Sequence, residues 1–349
     1  MAYVPVLKGR QGEFAALASI QPSTRQRILP MLEIMPGPAD EPAALKSVIE
    51  RTAKKLRPWA GSRVLLDAGL LATEVELRDG LGAVGYAIAS AIGEGVAATP
   101  VVRLNDEARA HLDAASMHTA NATGVAVRLS AEDLDEDSED IDAALAGLLK
   151  ELGVGRAEVE LVLDLGVVNG DLGVRAGSRL AADALRGLTA IGRWRGIIVT
   201  AGAFPADLST FSPWTIGEPV RYDAALYDHL QQRKRLERMP AFGDYAVAHP
   251  LLATGPAFPP APQLRYTVAD RWLILKGTRN DPRGHEQFYE VCETIARHPE
   301  FAGAALGQAD SRISDSRSQG PGNASTWRAI STAHHLDYVV QRLTTLGEP

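Results

Sequence analysis

The chain is poor in features that would declare a function. It holds one cysteine, Cys292, in 349 residues, so no disulfide can form within it. That fits a reducing compartment. No apolar run reaches the roughly 18 residues of a membrane-spanning helix. The N-terminus lacks the basic patch, apolar stretch and small-residue cleavage site of a secretory signal. The expectation is a soluble, cytoplasmic protein with no membrane partner. A net charge of −7 argues against bulk attraction to nucleic acid or anionic membrane, but leaves room for a local basic site. There is no G-x-x-x-x-G-K-[ST], G-x-S-x-G, H-E-x-x-H or C-x-x-C, which counts against a P-loop NTPase, a typical α/β-hydrolase and a dedicated zinc site.

What is present is an alternation. Strand-like runs rich in Val, Ile and Leu recur at 3–8, 28–34, 63–69, 99–105, 124–130, 159–166, 195–202 and 243–250. Helix-length segments separate them. Pro42 suits the first turn of one helix. Thr73 to Glu76 reads as a capping box opening another, and Ser130 to Asp133 as a weaker one. Helical crossovers return a chain to the same sheet edge, so the strands should pair in parallel. Eight such units predict a (β/α)8 TIM-barrel-like fold rather than an open doubly wound sheet, because "KGRQGE" supplies only two glycines of a dinucleotide-binding turn. Residues 1–252 would form the barrel. Residues 253–349 would form an α+β elaboration packed on it, not an independent domain. It comprises a Pro-rich loop (253–263), a hairpin (265–277), a helix near 284–297, a Ser/Gly-rich loop (310–325) and a helix near 326–343.

Strand side chains alternate faces. On seven strands one face ends in a polar residue: Lys8 follows Val6, Glu33 follows Met31, Asp67 follows Leu65, Arg103 follows Val101, Arg128 follows Ala126, Asp164 follows Val162 and Thr200 follows Ile198. In a barrel these ends converge on one mouth, where active sites sit. Two readings stay open. The charges could form a structural network of ion pairs. Alternatively, they form a site for a small anionic ligand such as a nucleotide or phosphoester. Lys8, Arg10, Arg103 and Arg128 would then hold the anion, with Glu13 beside them, while Glu33, Asp67 or Asp164 acts as catalytic base or binds a divalent cation. Lys276 and Arg279, leaving the hairpin just before a helix start, are further ligand-binding candidates. Cys292 reads as core. The "QQRKRLERM" run (231–239) reads as a solvated helix face, and 131–142 as an acidic helix start.

Four stretches, "LKGRQGEFAAL", "LPMLEI", "RNDPRGHEQFYE" and "GNASTWRAISTAHHLDYVV", resemble the bacterial and phage beta family protein group. The resemblance implies association with phage or phage–host conflict genes. It implies no particular activity, so an enzyme and a recognition module for a protein or nucleic-acid partner in anti-phage defence are both open. The motif positions it marks are Lys8, Arg10, Glu13, Glu33, Arg279, Trp327, His334 and His335.

Overall fold

Eight parallel strands close into a barrel in sequence order, β1 pairing with β8. The computed structural model describes residues 3–136, 138–233, 236–252 and 259–349. The strands are β1 (Tyr3–Lys8), β2 (Met31–Glu33), β3 (Arg63–Asp67), β4 (Ala97–Val102), β5 (Val125–Leu129), β6 (Val159–Val167), β7 (Gly196–Gly202) and β8 (Ala241–Asp244). The helices between them are α1 (Gln11–Ser19), α2 (Pro22–Arg25), α3 (Pro42–Lys55), α4 (Ala83–Gly93), α5 (Ala108–Asn121), α6 (Ala131–Leu134), α7 (Ser138–Leu152), α8 (Gly170–Gly187) and α9 (Tyr222–Gln231). An antiparallel hairpin follows, β9 (Gln263–Thr267) with β10 (Trp272–Lys276). Then come α10 (Gln287–Ala296), α11 (Gln308–Ser314), α12 (Ser316–Gln319) and α13 (Ala324–Thr345).

The expected inward face is the barrel interior. Val6, Met31, Leu65, Val101, Ala126, Val162 and Ile198 pack together inside it. The opposite faces pack against the helices. Parallel strands covered on both sides read as near-continuous apolar runs, which is why they stood out in the sequence. At the N-terminal end of the barrel, buried Glu160 pairs with Arg195 and, at 2.8 Å, with Arg63, closing that end with charge that is compensated.

Four expectations need correction. The eighth strand lies at Ala241–Asp244, earlier than 243–250. No helix starts at Thr73; α4 starts at Ala83, where Asp113 of α5 accepts from the Gly82 and Gly85 N–H groups at 3.1 and 2.8 Å. A neighbouring helix thus supplies the cap, and no local motif is needed. The 310–325 stretch contains helical turns of α11 and α12, drawn into structure by burial of Ile313 and Asp310. In the 231–239 run the described residues after Gln231, where α9 ends, form no helix face. Lys234 and Arg235 of that run, Asp137 of the acidic stretch and residues 253–258 of the Pro-rich loop lie outside the described residues.

The C-terminal elements share a core with the barrel's outer layer. Tyr3, Leu7 and Leu17 belong to the same buried cluster as Leu264, Tyr266, Phe288, Cys292 and Leu336. Burial pushes the Cys292 thiol up to about 12. The loop after β7 lies along the hairpin, with Gly217 bridging Ile274 and Val220 bridging Arg271.

Candidate functional site

Directly above the apolar layer of the barrel, the strand-tip charges meet. Arg128 is their centre. Its Nε and Nη2 donate to Asp164 Oδ2 at 2.8 and 2.6 Å, and its Nη1 donates to Asp67 Oδ2 at 2.6 Å and Glu33 Oε1 at 2.9 Å. Tyr245 donates its hydroxyl to Asp164 Oδ2 at 2.6 Å and accepts from Arg128 Nη2 at 2.7 Å. Lys8 pairs with the second Glu33 oxygen and donates to the Pro250 carbonyl at 2.6 Å. Arg103 forks onto Asp67 at 3.2 and 2.7 Å. The Gly69 and Gly166 N–H groups donate to the Oδ1 atoms of Asp67 and Asp164, each at 2.9 Å.

This network is nearly sealed from water. Lys8, Glu33, Asp67, Arg128 and Asp164 are all buried. Three cations face three acids, so the burial penalty of each charge is offset by partners. Burial alone would raise the Asp67 pKa, but Arg103 and Arg128 outweigh it and hold this carboxyl at about 2. Burial, and then the Asp164 charge, push the Tyr245 hydroxyl well up, so it stays a donor. The chain itself supplies the positive charge on which the three carboxylates converge. Among the described residues, no group of three or more His, Cys, Asp or Glu is arranged to hold a metal ion. Thr200 lies at the same level, buried, with its hydroxyl oxygen unpartnered.

Beside the network opens a cavity of about 1190 Å³, walled by the segments after β1, β7 and β8, by the hairpin and by α13. Lys8, Arg10, Arg265, Lys276, Arg279 and Arg328 line it, and Asp207 is the acid among the wall residues. Local packing explains how these cations come together. The Gly9 N–H donates to the Glu33 carbonyl at 2.8 Å, and a Cβ at Gly9 would lie 2.8 Å from that oxygen. Only glycine lets the chain leave β1 so closely and present Arg10 at the start of α1. A Cβ on Gly12 would lie 2.8 Å from Arg328 Cβ, so this second glycine lets α1 and α13 touch and brings Arg328 to the mouth.

Arg328 Nη1 reaches Glu13 Oε1 at 3.4 Å, while Glu13 Oε2 is buried without a partner. Burial raises the Glu13 pKa against the opposing pull of Arg328. Arg265 donates to the Val247 carbonyl at 2.7 Å, and its guanidinium lies 4.9 Å from the Phe204 ring centroid. Burial, and next the charge of Arg328, press the Arg265 pKa downward. Lys276 donates to the Leu208 carbonyl at 2.6 Å. The turn carrying Arg279 is clamped by buried Gln287, which accepts from the Thr278 N–H at 2.8 Å and donates to the Thr278 and Gly284 carbonyls at 2.9 and 2.8 Å.

The candidates from the sequence therefore divide. Glu33, Asp67, Asp164, Arg103 and Arg128 meet in the strand-tip network, Arg10, Lys276 and Arg279 line the cavity, Lys8 belongs to both, and Glu13 lies behind Arg328. His334 and His335 are fully buried and do not line the cavity; Trp327 stacks on Phe288. Sequence reasoning missed Tyr245, Arg265 and Arg328. Tyr245 was within reach, since it follows Gly243 on the inward face; Arg328 stood inside a quoted motif, but nothing local distinguished it from a surface arginine.

The family model described as Beta protein matches residues 3–341. No curated protein matches the chain. Similar solved structures include two mutants of the tryptophan synthase alpha-subunit from the hyperthermophile Pyrococcus furiosus. One is 13% identical with a TM-score of 0.39 and the other 14% identical with 0.38, each match covering 70% of this chain and 85% of that one. The carboxyl transferase domain of Rhizobium etli pyruvate carboxylase, solved with pyruvate and biocytin, is 9% identical, with 68% of this chain and 44% of that one covered at a TM-score of 0.33.

Proposed function

For this chain, which belongs to the Beta protein family, we propose that its function is to bind a small phosphorylated anion, a nucleotide or phosphoester, in the basic cavity at the barrel mouth. The observation that carries this reading is the lining: among the described residues, six Lys and Arg side chains face the cavity, of which Lys8 and Arg328 also pair with Glu33 and Glu13, in a protein whose net charge is −7. A phosphorylated anion would add counter-charge where Glu13, Glu33 and Asp207 already face these cations. The four guanidiniums among them match phosphate geometry. A concave shape suits a small ligand better than a macromolecular surface. Segments after the seventh and eighth strands often bind phosphate in barrels of this class, which supports the reading by fold analogy.

Recognition accounts for the strand tips better than catalysis does. Glu33, Asp67 and Asp164 all accept from Arg128, and a carboxyl held at about 2, as Asp67 is, is a weak base at neutral pH. In this proposal the network is a rigid floor, and the cavity is the working part. A thermal-shift titration with orthophosphate, AMP and glucose 6-phosphate tests it. Binding raises the melting temperature, and Arg10→Ala together with Arg328→Gln abolishes the rise. No rise with any probe would overturn the proposal. The phage–host setting implied by the resemblance is part of it, and is checked by identifying small molecules that co-purify with the protein from infected and uninfected cells.

A further inference from the structure

The cavity's cations come from separate segments and form two groups. Arg10, Arg265 and Arg328 share one neighbourhood, since Gly12 packs against Arg328 just after Arg10, and the Arg265 N–H donates at 3.1 Å to Ser331, about one turn beyond Arg328 on α13. Lys276 and Arg279 lie at and beyond the end of β10. The hairpin register sets the groups apart. Lys276 pairs with Gln263, whereas Arg265 pairs with Ile274, so the two cations stand diagonally on one face. Such diagonal neighbours are about 7–8 Å apart at the backbone.

Neither cation is free to swing to the other. Arg265 is tethered to the Val247 carbonyl and the Phe204 ring, and Lys276 to the Leu208 carbonyl. These tethers are neutral; the nearby acids, Glu13 for Arg265 and Asp207 for Lys276, act on the two cations only through space. Arg328 by contrast has Glu13, and Lys8 has Glu33. The cavity, at about 1190 Å³, is also far larger than one phosphate requires.

Resting on the reading that this cavity binds a phosphorylated anion, we infer that the ligand carries at least two linked phosphoryl groups. One is held by Arg10, Arg265 and Arg328, and another by Lys276 and Arg279. Either a nucleoside di- or triphosphate or a simple phosphate chain presents this chemistry.

The test is calorimetric titration of the full chain at constant ionic strength with orthophosphate, pyrophosphate, tripolyphosphate and ATP. Joining two bound groups in one molecule should make tripolyphosphate bind at least about tenfold tighter than orthophosphate. Arg10→Ala and Lys276→Met should each weaken tripolyphosphate several-fold, whereas orthophosphate should respond to only one of them. ATP binding tighter than tripolyphosphate identifies a nucleotide; equal affinity identifies the phosphate chain as the recognised part. Either result supports the inference. Orthophosphate binding as tightly as tripolyphosphate would overturn it and leave the single-anion reading standing. No binding of any probe would overturn both. If a variant fails to fold, the probe series on the unaltered protein still decides.

Discussion

Arg128 satisfies three carboxylates at once, and this sets what its loss would do. Arg128→Met would fill much of the same space but leave Glu33, Asp67 and Asp164 buried without their shared counter-charge. The expected loss is roughly 3–5 kcal/mol in urea denaturation; a loss below about 1 kcal/mol would show that the network does not hold the mouth together. Asp67 gives a second, pH-resolved test. Its carboxyl sits at about 2, below the ordinary 3.8, so its stabilising contribution is complete above the ordinary value and fades as pH falls toward 2. That contribution is about 2 kcal/mol at neutral pH. The stability difference between the unaltered protein and Asp67→Asn should therefore shrink between about pH 4 and pH 2. A difference unchanged over that window would refute the assignment. These residues were legible in the sequence because strand alternation is a local property: knowing that Val162 faces inward settles Asp164. Arg265 and Arg328 were not legible, because each gains meaning from contacts with residues far away in the chain, Val247 and Glu13.

The β1–α1 junction explains the "KGRQGE" stretch at the level of an element. Its glycines serve close packing: one lies against the end of β2, and the other against α13. Gly12→Ala would put a methyl 2.8 Å from Arg328 Cβ and 3.0 Å from the Ser325 carbonyl. The helices must then separate, at a cost of about 1–3 kcal/mol. Gly147, within α7, is the control, because a Cβ there meets nothing within 4 Å. Gly147→Ala should stabilise by roughly 0.5–1 kcal/mol through helix propensity alone. Guanidinium denaturation of the two variants gives opposite signs if packing is the reason for Gly12, and the same sign if it is not. The strands were readable for a related reason, since burial on both faces leaves an unbroken apolar run. The start of α4 was not, because its cap comes from Asp113 and the Thr73 motif found no helix to open. The same limit applies to α11, whose polar sequence is ordered by what it packs against rather than by its own propensity.

Across the whole molecule, a buried polar seam joins the barrel wall to the C-terminal elements. His335 of α13 meets Asp244 of β8 at 2.8 Å and Thr267 of β9 at 2.8 Å, while Tyr3 of β1 and Arg221 also turn toward Asp244. Beside it, His334 bridges Asp310 at 3.0 Å and the Thr267 carbonyl at 2.8 Å. No sequence pattern could reveal this seam, whose members are separated by up to 332 positions. It bears directly on whether residues after 252 form a separate unit. An autonomous domain would close its own core and meet its neighbour across a modest surface. Here one apolar cluster runs through both, and in the seam His335 of the elaboration meets Asp244 of the barrel wall. Unfolding should therefore be one cooperative transition, with tryptophan fluorescence and far-ultraviolet dichroism giving coincident curves. His335→Leu should lower the midpoint by removing a hydrogen-bond partner of buried Asp244, a loss of about 1–3 kcal/mol, and still leave a single transition. If the variant instead showed two transitions, with the first sparing the barrel's helical signal, the elaboration would be a separable domain held on by the seam. The cavity between it and the barrel would then open in that first step, and ligand protection would vanish with it.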